Sequence, residues 1–319
     1  MREAVIHNWL AKSEWAQWNR HPITGDASSR RYERLFGPNS QSVIVMDAPP
    51  HACGSQRAFV DMANHLRRVG LIAPEILEWD ETNGLMVISD LGTRDFAKHL
   101  ETHPSDERRL YETSVDVLRR LNTTAPPLTG LSQMTPTVGS EMIGLAFDWA
   151  AVDDSVDLRT AISTQLKELL DLVDPSPSAL SLRDFHAENL IWRDEEKQTD
   201  RVGLLDFQDA FITHSTYDLA SLLRDARRDI VTEMLDDLLN RLDPDADRAA
   251  QRTAFHVMSV QRNLRILGVF RRLSIQEKKT RYLDFIPRVE NHLRTDLSAP
   301  ELGYLSPLIS RAFFQDPAE

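Results

Sequence analysis

The chain has 319 residues, and 41% of them are hydrophobic, enough to bury a large core without disulfides or structural metal. A formal charge of -12 argues against a nucleic-acid binder, which needs a basic face, and the single cysteine, Cys53, cannot form an internal disulfide. No apolar run reaches the ~18 residues of a membrane span, and the charged N-terminus lacks the apolar segment of a signal peptide. We therefore expect a cytoplasmic protein with no membrane or nucleic-acid partner.

The first ninety residues show the patterns of a small antiparallel sheet with a helix. Residues 2–18 are predicted to form a helix, and HPITGDASSRRYERLFG is typical of two short strands around a small-residue turn. A third strand, SVIVMDAPP, ends in two prolines, which cannot donate to a ladder. Residues 56–69 have the 3.6-residue apolar period of a helix. A hairpin turn at Asn83-Gly84 is predicted between the strands EILEWD and LMVISD.

The pattern changes near residue 90. Helices are predicted at 95–101, 105–122, 139–150 and 158–173, with Ser105 as the cap of the second. Two short apolar runs, ALSL and RVGLLDF, interrupt them, and helical patterns resume to the end. The sequence therefore predicts an α+β fold of two lobes. These are a small β-rich lobe, residues 1–90, and a large helical lobe, residues 91–319.

Two carboxylates and a carboxamide follow the apolar runs. Asp184 and Asn189 lie five residues apart in LRDFHAENLIW, and Asp206 ends the run VGLLD. Phosphoryl transfer needs a carboxylate to accept the proton of the acceptor hydroxyl, and hard oxygen ligands for Mg²⁺. This spacing is that of a kinase catalytic loop followed by its D-F-G aspartate. We interpret Asp184 as the base and Asn189 and Asp206 as metal ligands, which can converge from the two ends of a hairpin-like segment.

Further positions are predicted around these three. Asp209, three residues after Asp206, is assigned to a supporting or second-metal role, with a turn or cap role as the alternative. The stretch LMVISDLG is a candidate adenine hinge, which puts Ser89 and Leu91 at the nucleotide. Asp218, in TYDLASLL, is expected either to cap the next helix or to brace the catalytic loop.

The strand expected to carry the phosphate-pairing lysine contains none. Arg30 and Arg31 are the nearest cations that could replace it. The turn before them, GDASS, could aim backbone N–H groups at phosphate oxygens, with Ser28 among them. The alternative is that SSRRY is a solvated strand start. Gln208 stands in place of the glycine of D-F-G, which indicates that no activation-loop switch of the protein-kinase type operates.

A resemblance to a known family is carried by the segments GDASSRRY, VMDAPP, ISDLG, LRDFHAENL, LLDFQDA, TYDLASLLRD and QRNLRILGVFRRL. Together they resemble the aminoglycoside phosphotransferase-like superfamily, and within it the anomeric N-acetylmuramate/N-acetylglucosamine kinases. Its signature, H-x-D-x-x-x-x-N followed by D-x-x-D, is matched except that Leu182 replaces the histidine. The resemblance implies a protein-kinase-like fold and dependence on ATP and Mg²⁺. It also implies phosphorylation of the anomeric hydroxyl of an amino sugar during cell-wall recycling.

Other functions remain as alternatives. The same fold could phosphorylate an aminoglycoside-like antibiotic or a choline-like or homoserine-like alcohol. The absent lysine would also suit a nucleotide-binding pseudokinase partner, although a protein that only binds nucleotide has no need of Asp184. No pattern in the chain indicates an oligomeric state.

A basic stretch, residues 262–288, interrupts the acidic composition with eight Lys or Arg against two acidic residues. One interpretation is a wall that favours an anionic sugar. The other is the solvated face of an amphipathic helix, because Arg262, Arg265 and Arg272 lie roughly opposite an apolar stripe.

Overall fold

The structure is a computed structural model, and it describes residues 2–23, 30–127, 130–230 and 232–314. The chain packs as two compact units. The first comprises Met1–Asp95 and Leu190–Asp209, and the second comprises Phe96–Asn189 and Ala210–Glu319. The first unit therefore takes in a segment from the middle of the chain. The lobe boundaries drawn from the sequence, 1–90 and 91–319, stay a prediction.

Antiparallel pairing organises the N-terminal part of the first unit. Its elements are α1 Arg2–Leu10, β1 Asn19–Ile23, β2 Arg31–Phe36, β3 Ser42–Asp47, α2 Pro50–Cys53, α3 Arg57–Arg68, β4 Ile76–Asp80 and β5 Leu85–Ser89. The strands form a sheet in the order β1-β2-β3-β5-β4, with antiparallel neighbours throughout. The predicted succession of strands, and the helix predicted at 56–69, are therefore confirmed.

The first helix is shorter than predicted, because it ends at Leu10 rather than at residue 18. Ser13 Oγ donates to Leu10 O (2.8 Å) and accepts from Trp15 N (3.2 Å), so a local hydroxyl bond replaces the helical pattern. Trp15 then joins α1 against one face of the sheet. That apolar cluster consists of Ile6, Leu10, Trp15, Leu35, Val43, Val45, Leu85 and Val87. The strand members alternate along β3 and β5 because successive side chains point to opposite faces.

The second unit begins with helices. Its first elements are α4 Phe96–Thr102, α5 Glu107–Asn122, α6 Pro136–Glu141, α7 Gly144–Ala150, α8 Val156–Val173 and β6 Ala179–Ser181. The helix predicted at 139–150 is in fact two helices. The first begins earlier because proline suits a first helical turn and Thr135 Oγ1 accepts from Val138 N (3.3 Å). Ser105 does not cap α5, since it lies within a 3₁₀ turn, Pro104–Asp106, that precedes it.

The segment 190–209 belongs to the first unit. It forms β7 Leu190–Trp192 and β8 Val202–Leu204, which pair with each other antiparallel. Trp192 N donates to Arg94 O (2.7 Å), and Leu204 N donates to Ile72 O (2.8 Å). These bonds attach the hairpin to the earlier part of the same unit and set where Asp206 leaves β8.

The rest of the second unit surrounds one long helix. Its elements are β9 Phe211–Thr213, α9 Tyr217–Leu223, α10 Leu235–Leu242, α11 Arg248–Gln276, α12 Ile286–Leu297 and α13 Leu305–Phe313, with β9 paired to β6. Helix α11 is buried on most of its sides, as a core helix is. A Cβ at Gly268 would collide with the backbone of Leu145 and Ala146, so α11 and α7 approach closely there. Among the described helices, none is long and apolar enough to cross a bilayer.

Candidate active site

A buried carboxylate braces the segment that leads into Asp184. Asp218, 3% exposed on α9, accepts hydrogen bonds from Ser181 Oγ and Leu182 N, both at 2.7 Å. It also accepts from Arg183 N at 3.1 Å. Arg183 has a φ of 72°, in the left-handed region that non-glycine residues rarely adopt, and the bonds to Asp218 hold it there. Of the two roles predicted for Asp218, the structure therefore supports the brace.

Two opposing effects act on the Asp218 carboxyl. Burial raises the pKa of Asp218 to about 6, against the hydrogen bonds from Ser181 and from the two backbone N–H groups. The ionised form accepts all these bonds, so at neutral pH the carboxylate persists inside the protein. The loop is thus held by a buried carboxylate whose hydrogen-bond donors belong to the segment that leads into the loop.

The side chain of Asn189 folds back onto the catalytic loop. Residues Ala187–Asn189 form a 3₁₀ turn, and Asn189 Nδ2 donates to Asp184 O (2.9 Å). The same nitrogen lies 3.2 Å from His186 Nε2. Because both bonds use the amide nitrogen, the amide oxygen is the atom that Asn189 can offer to a cation. Asp184 and Asn189 are thereby brought together within the second unit.

His186 supports the loop and is unsuited to proton transfer near neutral pH. Burial, together with the charge of Arg227, lowers the pKa of His186 to about 4. The ring is therefore neutral, and its Nε2 is the acceptor for Asn189 Nδ2.

A second carboxylate that the sequence analysis did not assign lies behind the loop. Asp225 is fully buried, and it accepts hydrogen bonds from Arg227 N (2.9 Å) and more weakly from Ala187 N (3.4 Å). Arg227 also pairs with Glu188, its Nε 2.7 Å from Oε2. The signal for Asp225 was present in TYDLASLLRD, where two aspartates flank one apolar helix. Asp218 and Asp225 both accept hydrogen bonds from the catalytic loop.

Arg262 was also missed. It is 2% exposed, so the interpretation as part of a solvated helix face is wrong for this residue. Its Nη1 lies 3.5 Å from Arg224 O, and its guanidinium interacts electrostatically with Asp184 and Asp225. Burial lowers the pKa of Arg262, whereas Tyr217 and Asp184 act to raise it. A buried cation within electrostatic reach of Asp184 depends on how α11 packs, and no local sequence pattern marks it.

The basic stretch 262–288 is not one uniform surface. Arg265 and Arg272 are half-buried on α11. Lys279 Nζ pairs with Glu277 (2.7 Å), and Arg288 Nε pairs with Asp229 (2.8 Å). Part of the local charge is therefore neutralised within the unit, and contact of this stretch with a sugar stays a prediction.

In the first unit, Asp206 follows β8 in a tight turn. Its φ is 57°, again in the left-handed region. Phe207 is fully buried and stacks on Phe59 of α3, with ring centroids 5.1 Å apart. Gln208 Nε2 donates to Asp206 Oδ1 (2.7 Å). The anchored phenyl ring and this hydrogen bond leave the Asp206 carboxylate exposed at the surface of the unit.

Arg30 and Asp206 both interact with Tyr32 of β2. Burial raises the pKa of Tyr32, Arg30 lowers it by hydrogen bonding and by its charge, and Asp206 raises it. Tyr32 is therefore close to both charged groups. The structure thus gathers Arg30, Tyr32 and Asp206 within the first unit, which is the combination of cation and carboxylate that a nucleotide phosphate chain requires.

Arg31 lines a small cleft together with Arg2, Glu33 and Asp47. Asp47, at the end of the strand that lacks a lysine, is held by Arg2, whose Nε donates to Asp47 Oδ1 (2.7 Å). The two adjacent arginines therefore have different surroundings.

The candidate hinge is anchored by its aspartate. Arg34 Nε and Ser42 Oγ donate to Asp90 at 2.6 and 2.7 Å. Burial acts to raise the pKa of Asp90, but these partners hold it below its ordinary value. Ser89 Oγ accepts a hydrogen bond from the backbone N–H of Glu75. Leu91 packs against Gly203, because a Cβ added to Gly203 would lie 3.0 Å from Leu91 Cδ1.

The other predicted site residues are Asp209 and Ser28. Asp209 is exposed at the end of the turn that begins at Asp206. Ser28 and the GDASS turn lie outside the described residues. In the described ranges, no three His, Cys, Asp or Glu side chains gather as a metal site would. The amide oxygen of Asn189 and the carboxylate oxygens of Asp206 are each hard oxygens of the kind that Mg²⁺ prefers.

Comparison with known proteins identifies the family. Residues 19–252 match the model of the phosphotransferase enzyme family. An N-acetylmuramate/N-acetylglucosamine kinase from Caulobacter vibrioides is 32% identical, over 97% of this chain and 96% of the relative.

Solved structures share the fold. A choline/ethanolamine kinase family protein from Mesorhizobium loti has a TM-score of 0.68 at 14% identity, covering 98% of this chain and 99% of that one. The ADP-bound aminoglycoside phosphotransferase APH(2'')-Ib has a TM-score of 0.63 at 14% identity, covering 91% and 99%. The predicted α+β, kinase-like fold is confirmed by these similarities. The chain belongs to the phosphotransferase enzyme family.

Proposed function

We propose that the protein is an ATP-dependent kinase that phosphorylates the anomeric hydroxyl of an N-acetylated amino sugar, N-acetylmuramate or N-acetylglucosamine. The observation that carries the chemistry is the braced loop 182–189, in which Asn189 is bonded to the backbone of Asp184. The acceptor class is supported by the 32% identity to a kinase of that name over nearly the whole chain.

In this proposal Asp184 is the base. It accepts the proton of the acceptor hydroxyl while the hydroxyl oxygen attacks the γ-phosphorus, and the bond between that phosphorus and the departing ADP oxygen breaks. Asp218 contributes by holding the backbone on which Asp184 is placed. Arg262 supplies a nearby positive charge to the loop carboxylates.

The nucleotide and metal roles are also proposals. Asn189 and Asp206 would hold Mg²⁺, and Asp209 would support them. Bound Mg²⁺ would neutralise the phosphate charge. The hinge around Ser89 and Leu91 would receive the adenine.

The proposed setting follows from the donor and the composition. ATP is a cytoplasmic metabolite, so we propose a cytoplasmic location. A chain of charge -12 repels nucleic acid, which leaves a small molecule as the proposed partner.

A panel of acceptors in one coupled ADP-release assay tests the proposed function. N-acetylmuramate and N-acetylglucosamine are expected to support turnover, whereas choline, homoserine and kanamycin are not. Phosphorylation of the anomeric hydroxyl removes the reducing end, so the reducing-sugar signal should fall by one equivalent per ADP formed. ADP release with the reducing signal intact would assign another hydroxyl. Turnover with choline or kanamycin alone would assign another acceptor class.

Arg30 rather than Arg31 is expected to replace the absent phosphate-pairing lysine. Arg30 bonds to Tyr32, which also interacts with Asp206, whereas Arg31 faces the cleft with Arg2 and Asp47. A hydrogen bond to a charged group contributes about 1.5–3 kcal/mol. Arg30→Ala should therefore raise the KM for ATP about tenfold or more.

Arg31→Ala is the paired measurement, and it should leave the KM for ATP close to that of the unmodified protein. Thermal melts of both variants separate a phosphate contact from general loss of structure. If Arg31→Ala alone weakens ATP binding, the assignment is reversed. If neither does, backbone N–H groups carry the phosphate without a cation from this strand.

A further inference from the structure

Gln208 makes one hydrogen bond that bears directly on the candidate metal site. Its Nε2 donates to Asp206 Oδ1 at 2.7 Å. An amide N–H at this distance occupies one lone pair of the carboxylate and restricts its rotation. The orientation of the whole Asp206 carboxylate is thereby fixed relative to the turn.

The backbone conformation of the turn brings the side chain of Gln208 close to Asp206. Asp206 has a φ of 57°, and Phe207 is fixed on Phe59 by stacking. The chain therefore reverses within three residues, so that the side chain of Gln208 returns to the carboxylate two positions earlier. A glycine at this position would keep the turn but supply no donor.

The side chain of Gln208 also lowers the stability of the fold. Gln208 Oε1 is buried and has no hydrogen-bond partner among the described residues. A buried acceptor without a donor lowers stability, and an apolar side chain of equal size would avoid this loss. Gln208 therefore lowers stability through Oε1 while it binds Asp206 through Nε2. Keeping a residue at the expense of stability is typical of a functional role.

We propose that Gln208 is a positioning residue for the metal site, whose amide fixes the orientation in which the Asp206 carboxylate would bind Mg²⁺. The inference rests on the proposed metal role of Asp206. Outer partners that orient a ligating carboxylate typically alter metal affinity by about 10–100-fold when removed. The proposal also gives a use to the residue that replaces the glycine of D-F-G.

Gln208→Met tests it, because methionine keeps the length of glutamine and removes both polar atoms. The measurement is calorimetric binding of ADP over a series of Mg²⁺ concentrations, together with thermal melts without metal. We expect the Mg²⁺ concentration for half-maximal enhancement of ADP binding to rise about tenfold. Binding of ADP without Mg²⁺ should not change, and the Tm should stay equal or increase. Gln208→Leu is the second variant should the first not accumulate as folded protein.

The matched control is Gln165→Met on α8, where the amide also donates to a carboxylate, Glu168 Oε2, at 3.3 Å. This variant should leave the Mg²⁺ dependence unchanged. The proposal is overturned if the Gln208 variants keep the Mg²⁺ dependence of the parent protein, or if their Tm falls along with metal-free ADP binding, as a structural role requires. If the parent protein binds ADP equally with and without Mg²⁺, the metal role of Asp206 itself is contradicted, and this outcome is distinct from both.

Discussion

Asp184→Asn is expected to lower kcat by about 10²-fold or more while leaving nucleotide affinity near that of the parent protein. The substitution removes the atom that accepts the proton and keeps the size of the side chain. The backbone bonds of the loop, from Asn189 Nδ2 to Asp184 O and from Asp184 N to Leu182 O, do not involve the carboxylate. The loss should therefore appear in turnover with the confirmed acceptor, and the Tm should change little.

Asp171→Asn provides the matched control, since it makes the same chemical change at an exposed position of α8. It should match the parent protein in kcat and KM. Normal turnover of Asp184→Asn would show that Asp184 is misassigned as the base. A parallel loss of ADP binding would show that the side chain acts on the nucleotide rather than on the proton.

Asp296→Ala is expected to produce the largest loss of stability, about 3–5 kcal/mol in the free energy of unfolding. Asp296, on α12, is fully buried and accepts from Arg224 Nε (2.9 Å) and Nη2 (2.6 Å). His256 Nδ1 lies 2.9 Å from it, and Ser259 Oγ also donates to it. Removing the carboxylate leaves the guanidinium of Arg224, itself 4% exposed, buried without its counter-ion. Urea denaturation at neutral pH measures the change.

The control is an exposed pair of similar geometry. Arg241 Nε and Nη2 donate to the two oxygens of Asp116 at 2.7 and 2.8 Å, but both side chains are substantially solvated. Asp116→Ala should cost only about 0–1 kcal/mol, because water screens the pair and solvates the remaining arginine. Equal losses in the two variants would contradict the role assigned to burial.

Acid should weaken the same network. Burial acts to raise the pKa of Asp296, but His256, Arg224 and Ser259 outweigh it and hold the pKa below its ordinary value. A depressed carboxyl pKa adds stability that is complete above the unfolded value, about 3.9. This contribution is lost as the pH falls from there through the folded pKa. The difference in stability between the parent protein and Asp296→Ala should therefore be full at neutral pH and shrink below about pH 4.

The sequence by itself determined the succession of elements and the spacing of the candidate catalytic groups. Both are local properties, because apolar periods distinguish helices from strands and D-x-x-x-x-N lies within one loop. The same local reasoning misjudged the end of the first helix, where Ser13 bonds to the backbone of its neighbours instead of continuing the turn. It also treated 139–150 as one helix, although Thr135 and Pro136 mark an earlier start.

Only the tertiary structure decided which neighbours the charged groups acquire. Arg30 and Arg31 are adjacent in sequence, yet Arg30 bonds to Tyr32, which also interacts with Asp206, whereas Arg31 lines a cleft with Arg2. Arg262 was placed on a solvated face by helical periodicity, whereas the packing of α11 buries it within electrostatic reach of Asp184. Burial and electrostatic partners come from segments distant along the chain, so a pattern confined to one segment carries no information about them. Such long-range contacts determine which charges are stabilised and which atoms remain for a ligand.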